Sequence, residues 1–253
     1  MKYADFLKET PVAHRGLHSD GIPENSVAAF LRAVEKGYAI ETDVHLSKDG
    51  VPVVFHDDRL ARMTGENRAL KDCTAEELTA LALGGTQQKI PLFSDFLSLI
   101  GGRVPLLIEI KNMPHLKTEE AVRPIAEALR NYGGVYAIQS FQPLYLPAFR
   151  RYLPEIPCGL LATARSSASD FGNSPLWRIK SFVMGKMLLA PFVKPDFISY
   201  YIGDYPLPAR WNAYPRLAWV ATSYEAAQKA LAHADNIIFE HFLPPVKTDD
   251  LRP

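Results

Sequence analysis

Acidic and imidazole side chains follow one another closely between residues 40 and 56. Glu41 and Asp43 lie two residues apart in an apolar run rich in β-branched residues. If that run is a strand, both carboxylates point to the same face of the sheet. Two carboxylates on one face repel each other unless a cation or a proton lies between them. The pair therefore predicts a site for a hard metal ion.

The residues after this pair predict that the chain turns back. Lys48, Asp49 and Gly50 form a turn signal, because Asp-Gly is typical of tight β-hairpins. A second apolar run, residues 51–55, then ends at His56. The hairpin is expected to bring this imidazole back towards the same end of the structure.

Two further pairs of polar residues lie at the ends of apolar runs. His14 and Arg15 end the first run, and the planar guanidinium of arginine suits a phosphate group. A histidine at such a place is by itself more often a packing residue than a catalyst. Glu109 and Lys111 repeat the two-residue spacing, and the simple interpretation is an ion pair at a strand end. Burying such a pair is costly unless its charges are compensated.

The order of apolar runs and helical stretches predicts an α/β fold, a (β/α)8 TIM barrel. The strand candidates are residues 11–14, 38–45, 105–111, 135–141, 158–161, 196–200, 217–221 and 236–240. Helices are predicted at 118–132, at 223–234, and from a cap at Asn25 or Ser26 to Gly37. In a barrel the C-terminal ends of the strands meet at one mouth, so the candidate residues would converge there.

One stretch does not fit this repeat. Residues 57–90 contain a helix after Thr74 and the pair Gly84-Gly85, and they predict a small inserted cap segment after the second strand. The whole chain, residues 1–253, is expected to form a single domain around the barrel, because α/β barrels often have about this length.

The composition of the chain indicates which binding partners and which cellular compartment to expect. Twenty-eight basic and 28 acidic residues cancel, so no nucleic-acid partner is expected. Two distant cysteines and an N-terminus with no apolar run favour the cytoplasm. Residues 176–193 are apolar, but the three basic residues among them argue against a transmembrane segment. A barrel helix is favoured there over a peripheral contact with a membrane surface. The sequence specifies no oligomeric state.

Several motifs resemble the glycerophosphodiester phosphodiesterase family. Over about the first 111 residues they are Ala13-His-Arg-Gly, Pro23-Glu-Asn-Ser, Glu41-Thr-Asp, Lys48-Asp-Gly-Val-Pro-Val-Val-Phe-His-Asp and Ile108-Glu-Ile-Lys. The later half resembles the family more weakly, through Gln139-Ser-Phe and Ala218-Trp.

The resemblance implies hydrolysis of small-molecule glycerophosphodiesters to sn-glycerol 3-phosphate and an alcohol. It implies a seven-residue centre with three carboxylates for one divalent cation, two acid–base imidazoles and two phosphate-binding cations: Glu41, Asp43 and Glu109; His14 and His56; Arg15 and Lys111. The cation would be Mg²⁺ or Ca²⁺, with Mn²⁺ as an alternative. Phe141 and Trp219 would form a substrate wall, and core packing is an equal alternative for both.

Two other functions remain open. The same centre could serve a lysophospholipase D-type hydrolase that acts on lipid phosphodiesters. A catalytically silent, ligand-binding barrel is the alternative outside enzymes, although the retained His14 and His56 argue against it. The last third departs from the family pattern after Trp219 and at Glu240, where aspartate is common, and this concerns substrate selectivity more than reaction type. His18 and His45 are expected at the rim.

Overall fold

Eight parallel strands close into a barrel in the computed structural model, which describes residues 5–164 and 175–252. Together with the antiparallel β3, which is the second strand of a hairpin, they are in chain order β1 (Val12–Ala13), β2 (Ala39–Leu46), β3 (Pro52–Val54), β4 (Leu106–Ile110), β5 (Tyr136–Ser140), β6 (Cys158–Ala162), β7 (Phe197–Tyr201), β8 (Arg216–Ala221) and β9 (Asn236–Phe239). Strand β9 pairs back onto β1, and β1 pairs with β2, which closes the barrel. The predicted (β/α)8 barrel is confirmed.

Helices lie between most of the barrel strands. In chain order they are α1 (Phe6–Glu9), α2 (Val27–Lys36), α3 (Ala61–Thr64), α4 (Ala75–Ala80), α5 (Phe93–Ile100), α6 (Thr118–Leu129), α7 (Tyr145–Tyr152), α8 (Trp177–Gly185), α9 (Ala190–Val193) and α10 (Tyr224–Leu231). Helix α2 begins where the Ser26 hydroxyl accepts a hydrogen bond from the Ala29 amide, and it ends at Gly37 with φ 78°. Of the two predicted caps, Ser26 is therefore the one that is used.

Inside the barrel an apolar layer lies beneath a polar one. Buried residues from seven strands form the apolar layer: Val12, Ala39, Leu107, Ala137, Phe197, Leu217 and Ile238. Because side chains alternate along a strand, the residues two positions later point to the same side. These include four with chemistry to offer: His14, Glu41, Glu109 and Glu240. The alternation of side chains thus places the polar residues in the layer next to the apolar one, nearer the C-terminal mouth of the barrel.

The hairpin predicted at Asp49-Gly50 is present, and β3 pairs antiparallel with β2. The following segment, residues 57–90, contains α3 and α4 and packs its apolar side chains against β3 in a separate buried cluster. Because β2 is buried along its whole length, His45 is only 3% exposed. The expectation that His45 lies at the rim is therefore wrong. That residues 57–90 act as a cap stays a prediction.

The segment predicted as a barrel helix, residues 176–193, forms α8 and α9 between β6 and β7. The Tyr200 hydroxyl donates to the Gly185 carbonyl at 2.8 Å, which fixes the end of α8 beside the C-terminal end of β7. The outward side carries large exposed apolar residues: Leu176, Ile179, Phe182, Leu188, Leu189 and Phe192. Within the described ranges, no helix combines the length and apolarity needed to cross a membrane.

Candidate active site

Three buried carboxylates meet where the C-terminal end of β4 lies beside the middle of β2. Asp43 lies opposite Glu109 in the parallel register of these neighbouring strands, and Glu41 lies two residues before Asp43. All three residues are less than 10% exposed. Their carboxylate oxygens lie within 4.8 Å of one another. The structure thus brings together the three residues predicted to bind a cation.

Two cationic side chains compensate these carboxylates. The Lys111 ammonium lies 2.8 Å from Glu109 Oε1 and 3.3 Å from Asp43 Oδ1. The Arg15 guanidinium approaches Asp43 to 3.5 Å through Nε, and the Arg15 amide donates to Glu41 Oε2 at 2.9 Å. Both predicted phosphate-binding residues therefore lie at the carboxylate cluster.

The surroundings shift the pKa values of Glu41 and Asp43 in opposite directions. Burial raises the pKa of Glu41, and repulsion from Asp43 and Glu109 raises it further. Burial alone would also raise the pKa of Asp43, but Lys111 and the other nearby cations outweigh it and hold it far below its usual range. Burial would lower the pKa of Lys111, yet the attraction of Glu109 and Asp43 raises it. Three carboxylates crowded in this way fit a hard divalent cation, which would supply the positive charge that Glu41 lacks.

Each predicted acid–base imidazole is held by a carboxylate. His14 Nδ1 lies 2.7 Å from Glu240 Oε2, and His56 Nδ1 lies 2.6 Å from Asp57 Oδ1. A carboxylate accepts, so each Nδ1 carries a proton and each Nε2 is left for proton transfer. Burial lowers the pKa of His14, against the opposing pull of Glu240. Asp43 interacts electrostatically with both rings, which places them around the same cluster.

A chain of ion pairs connects the first loop of the barrel to the segment 57–90. Glu24 Oε1 lies 2.7 Å from Arg15 Nη1 and 2.7 Å from Arg62 Nη2. Arg62, on α3, also binds Asp57 at 2.6 Å, and Asp57 in turn holds His56. Sequence reasoning missed Arg62 and Asp57 as supporting residues, because no spacing rule relates them to Glu24.

Asn25 supports the cluster from the loop before α2. Its side-chain amide donates to Asp43 Oδ2 at 2.9 Å, and its carbonyl oxygen accepts from the Thr42 hydroxyl at 3.0 Å. Asn25 is 2% exposed and has φ 54°, in the left-handed region that asparagine tolerates better than most residues. The capping role considered for it is wrong, since Ser26 caps α2.

The two predicted wall residues contact each other on one side of the barrel. The rings of Phe141 and Trp219 lie edge to face with centroids 5.8 Å apart, and Tyr201 contacts the same indole at 5.3 Å. Both wall residues are half-buried. Phe141 directly follows β5, and Trp219 lies in the C-terminal half of β8.

Charged groups of both signs at the mouth of a (β/α)8 barrel, with two oriented imidazoles among them, define a class of protein that transfers or cleaves phosphoryl groups. A sequence profile of the glycerophosphoryl diester phosphodiesterase family matches residues 14–198. The chain belongs to this family and is a phosphoric diester hydrolase.

Individual relatives agree with the family match. The glycerophosphodiester phosphodiesterase of Caldanaerobacter subterraneus subsp. tengcongensis is 36% identical over 167 residues, which cover 61% of this chain and 67% of that protein. A phosphodiesterase of Oleispira antarctica, solved with the product sn-glycerol-3-phosphate, superposes with a TM-score of 0.74 at 25% identity, covering 90% of this chain and 91% of that one. The glycerophosphodiester phosphodiesterase of Thermotoga maritima superposes with a TM-score of 0.66 at 25% identity, covering 91% of this chain and 94% of that one.

Proposed function

We propose that this enzyme hydrolyses glycerophosphodiesters to sn-glycerol 3-phosphate and an alcohol at the mouth formed by β1, β2 and β4. The observation that supports this most directly is the pair of carboxylate-held imidazoles around one cluster of buried charges. Arg15 and Lys111 lie at that cluster and offer guanidinium and ammonium donors to the non-bridging oxygens of the phosphate.

The carboxylates of Glu41, Asp43 and Glu109 would hold one divalent cation, Mg²⁺ or Ca²⁺, with Mn²⁺ as an alternative. Such a cation, when bound, stabilises the charge that develops on phosphoryl oxygens as the ester bond breaks. The oxygen-only donor set, the burial and the mutual repulsion of the three carboxylates support this assignment.

The two imidazoles divide the proton transfers. Burial lowers the pKa of His14 and so favours its neutral ring, while Glu240 accepts a hydrogen bond from Nδ1. His14 Nε2 is therefore free to accept a proton from the attacking hydroxyl, either water or the glycerol 2-hydroxyl of the substrate. His56, oriented by Asp57, would act in its protonated form and give its Nε2 proton to the departing alkoxide. Where the glycerol 2-hydroxyl attacks, water then opens the cyclic phosphate to give sn-glycerol 3-phosphate. Phe141 and Trp219 would contact the carbon atoms of the substrate on the other side of the mouth.

A substrate panel assayed for released glycerol 3-phosphate tests this function. Turnover should need Mg²⁺, Ca²⁺ or Mn²⁺ and disappear with EDTA. His14→Ala and His56→Ala should each lower kcat by about 10²- to 10⁴-fold. His233→Ala, which removes an exposed histidine two residues after α10, is the matched control. A near-normal rate in either active-site variant removes that residue from the mechanism, and no metal-dependent turnover on any diester would favour the silent barrel.

A second candidate substrate class, lipid phosphodiesters cut in lysophospholipase D fashion, is favoured by the exposed apolar side of α8 and α9. Phe182 is 59% and Phe192 81% exposed. Residues 175–195 contain four basic residues and no acidic one, in a chain whose net charge is zero. A Cβ on Gly185 would lie 3.0 Å from Ala164, two residues after β6, so this surface begins at the catalytic end of the barrel. It suits a peripheral contact with an anionic lipid surface.

Two measurements distinguish the lipid substrate from the water-soluble one. Lysophosphatidylcholine should be cleaved better than glycerophosphocholine if the second candidate is correct. Phe192→Ser should weaken sedimentation with vesicles that contain phosphatidylserine, whereas Leu31→Ser, at an exposed apolar residue on α2, should not. Equal sedimentation of both variants would refute the lipid contact, and a preference for glycerophosphocholine would refute the lipid substrate.

A further inference from the structure

Three imidazoles surround the carboxylate of Glu240. His14 Nδ1 lies 2.7 Å and His18 Nε2 3.5 Å from Oε2, while His241 Nε2 lies 3.4 Å from Oε1. The residues come from the ends of the neighbouring strands β1 and β9 and the loops that follow them. The proposed mechanism needs only one of the three imidazoles, so a single hydrogen bond to His14 does not account for the arrangement.

His18 offers a nitrogen that has no other use. Its Nε2 is buried and makes no hydrogen bond to any residue in the described part of the chain. The cluster lines a cleft of about 400 Å³, where Asp20, Glu24 and Glu240 outnumber the one guanidinium of Arg15. The cleft thus brings the Glu240 carboxylate together with a buried imidazole nitrogen, and a cation with an affinity for nitrogen can bind there in place of any proton on that nitrogen.

We propose that His14 Nδ1, His18 Nε2 and Glu240 form a second cation site, selective for a borderline-soft dication such as Zn²⁺. The three ligand atoms lie within 4.8 Å of one another. A tetrahedral zinc ion with ligands at about 2.0–2.1 Å keeps those ligands roughly 3.3 Å apart. The two separations from Glu240 Oε2, 2.7 Å to His14 Nδ1 and 3.5 Å to His18 Nε2, bracket that value, so the carboxylate already lies at a suitable distance from both nitrogens.

The donor atoms separate this site from the carboxylate cluster. Glu41, Asp43 and Glu109 offer only oxygen, which Mg²⁺ and Ca²⁺ require. The second site offers two imidazole nitrogens and one carboxylate, a set that favours Zn²⁺ over either. Saturating Mg²⁺ should consequently leave the second site accessible to Zn²⁺.

Occupancy of the second site would switch off His14. In the metal-free ring Nδ1 carries the proton and Nε2 the lone pair. An ion bound at Nδ1 takes the lone pair there, so the ring proton must lie on Nε2 and the ring stays neutral. His14 Nε2 can then no longer accept a proton from the attacking hydroxyl. The inhibition, unlike the binding, rests on the proposed function of His14.

The experiment measures Zn²⁺ binding and turnover on the same full-length protein in saturating Mg²⁺. Binding is followed by competition with a chromogenic chelator, and Co²⁺ replaces Zn²⁺ to report nitrogen ligation through its visible spectrum. Loss of an outer-shell partner costs about 10- to 100-fold in affinity, so loss of the ligand itself in His18→Ala should cost at least as much. His18→Gln is the second variant and His233→Ala the control. Each rate is compared with the same variant's rate without Zn²⁺.

The expected result is one Zn²⁺ per chain, with binding and inhibition intact in His233→Ala and weakened together in both His18 variants. Three results overturn the site: no binding to the wild type in Mg²⁺, displacement of Zn²⁺ by excess Mg²⁺, or unchanged affinity in the folded His18 variants. Zn²⁺ that binds through His18 without slowing turnover overturns the inhibition and the proposed role of His14, while the binding site stands.

Discussion

Replacing Lys111 with methionine tests whether the ammonium group stabilises the buried carboxylates. Lys111 Nζ lies 2.8 Å from Glu109 and 3.3 Å from Asp43, and the side chain is 14% exposed. Methionine keeps most of the volume but removes the charge. The variant leaves two carboxylates buried with less compensation, and it should be less stable than the wild type.

The magnitude follows from the burial of the pair. Removing one partner of a buried ion pair costs about 3–5 kcal/mol, because the other charge stays desolvated. Exposed lysines contribute far less, so Lys229→Met on α10 should change the free energy of unfolding by no more than about 0.5 kcal/mol. A divalent cation that replaces the lost charge should restore part of the difference, since a ligand at about 100 times its Kd adds roughly 2.7 kcal/mol.

Urea denaturation in EDTA and in excess Mg²⁺ measures both effects. In EDTA, Lys111→Met should lose about 3–5 kcal/mol relative to the wild type. In Mg²⁺ the loss should be smaller, because the variant gains more from the ion than the wild type does. Turnover should stay low in both conditions, since Lys111 is also proposed to bind the phosphate. If the variant is as stable as Lys229→Met in EDTA, the ammonium does not compensate the carboxylates and the reasoning is refuted.

Three further predictions concern other parts of the structure. Glu41→Gln should weaken Mn²⁺ binding at least about 10-fold in a calorimetric titration with little change in Tm, and an unchanged titration would exclude Glu41 as a ligand. Burial would raise the pKa of Asp57, but His56 and Arg62 outweigh burial and hold that pKa below its usual range. Arg62→Met should therefore destabilise the protein at neutral pH. The difference should shrink as the pH falls below about 3.9, the unfolded-state pKa of aspartate, and a pH-independent difference in urea unfolding would argue against the pair. Gly159→Ala would make its Cβ clash with the buried ring of Phe197, so it should cost about 1–3 kcal/mol in urea unfolding, and wild-type stability would contradict the close packing.

Much of the barrel could be predicted because each strand is an apolar run that ends in polar residues or turn signals. The strand period alone places Asp43 and Glu41 on one face, and the parallel order of β2 and β4 brings Glu109 beside them. The helix signals at Ser26 and Gly37 were equally local, and the structure uses both. Local chemistry therefore carried the prediction as far as the first three barrel strands.

The supporting residues could not be predicted in this way, because tertiary contacts determine them. Glu240 lies 226 residues from His14, and only the closure of β9 onto β1 brings the two together. An acidic residue at the end of the last apolar run is the one available signal, and the sequence alone marks it only as a departure from the family pattern. The predicted position of His45 was wrong for the same reason, since Arg59 and Leu70 of the segment 57–90 lie beside it and strand periodicity does not show that contact.

The bridge from Glu24 through Arg62 to Asp57 ties the inserted segment to the first loop of the barrel. A segment anchored at this point cannot swing outward without breaking several charge-assisted contacts at once. These contacts hold one side of the entrance in place, so in the proposed reaction we expect differences in leaving-group size to be accommodated on the opposite side, along β6 to β8. Directed evolution for new alcohol groups should accordingly collect its useful substitutions on that opposite half, and leave the Glu24 side unchanged.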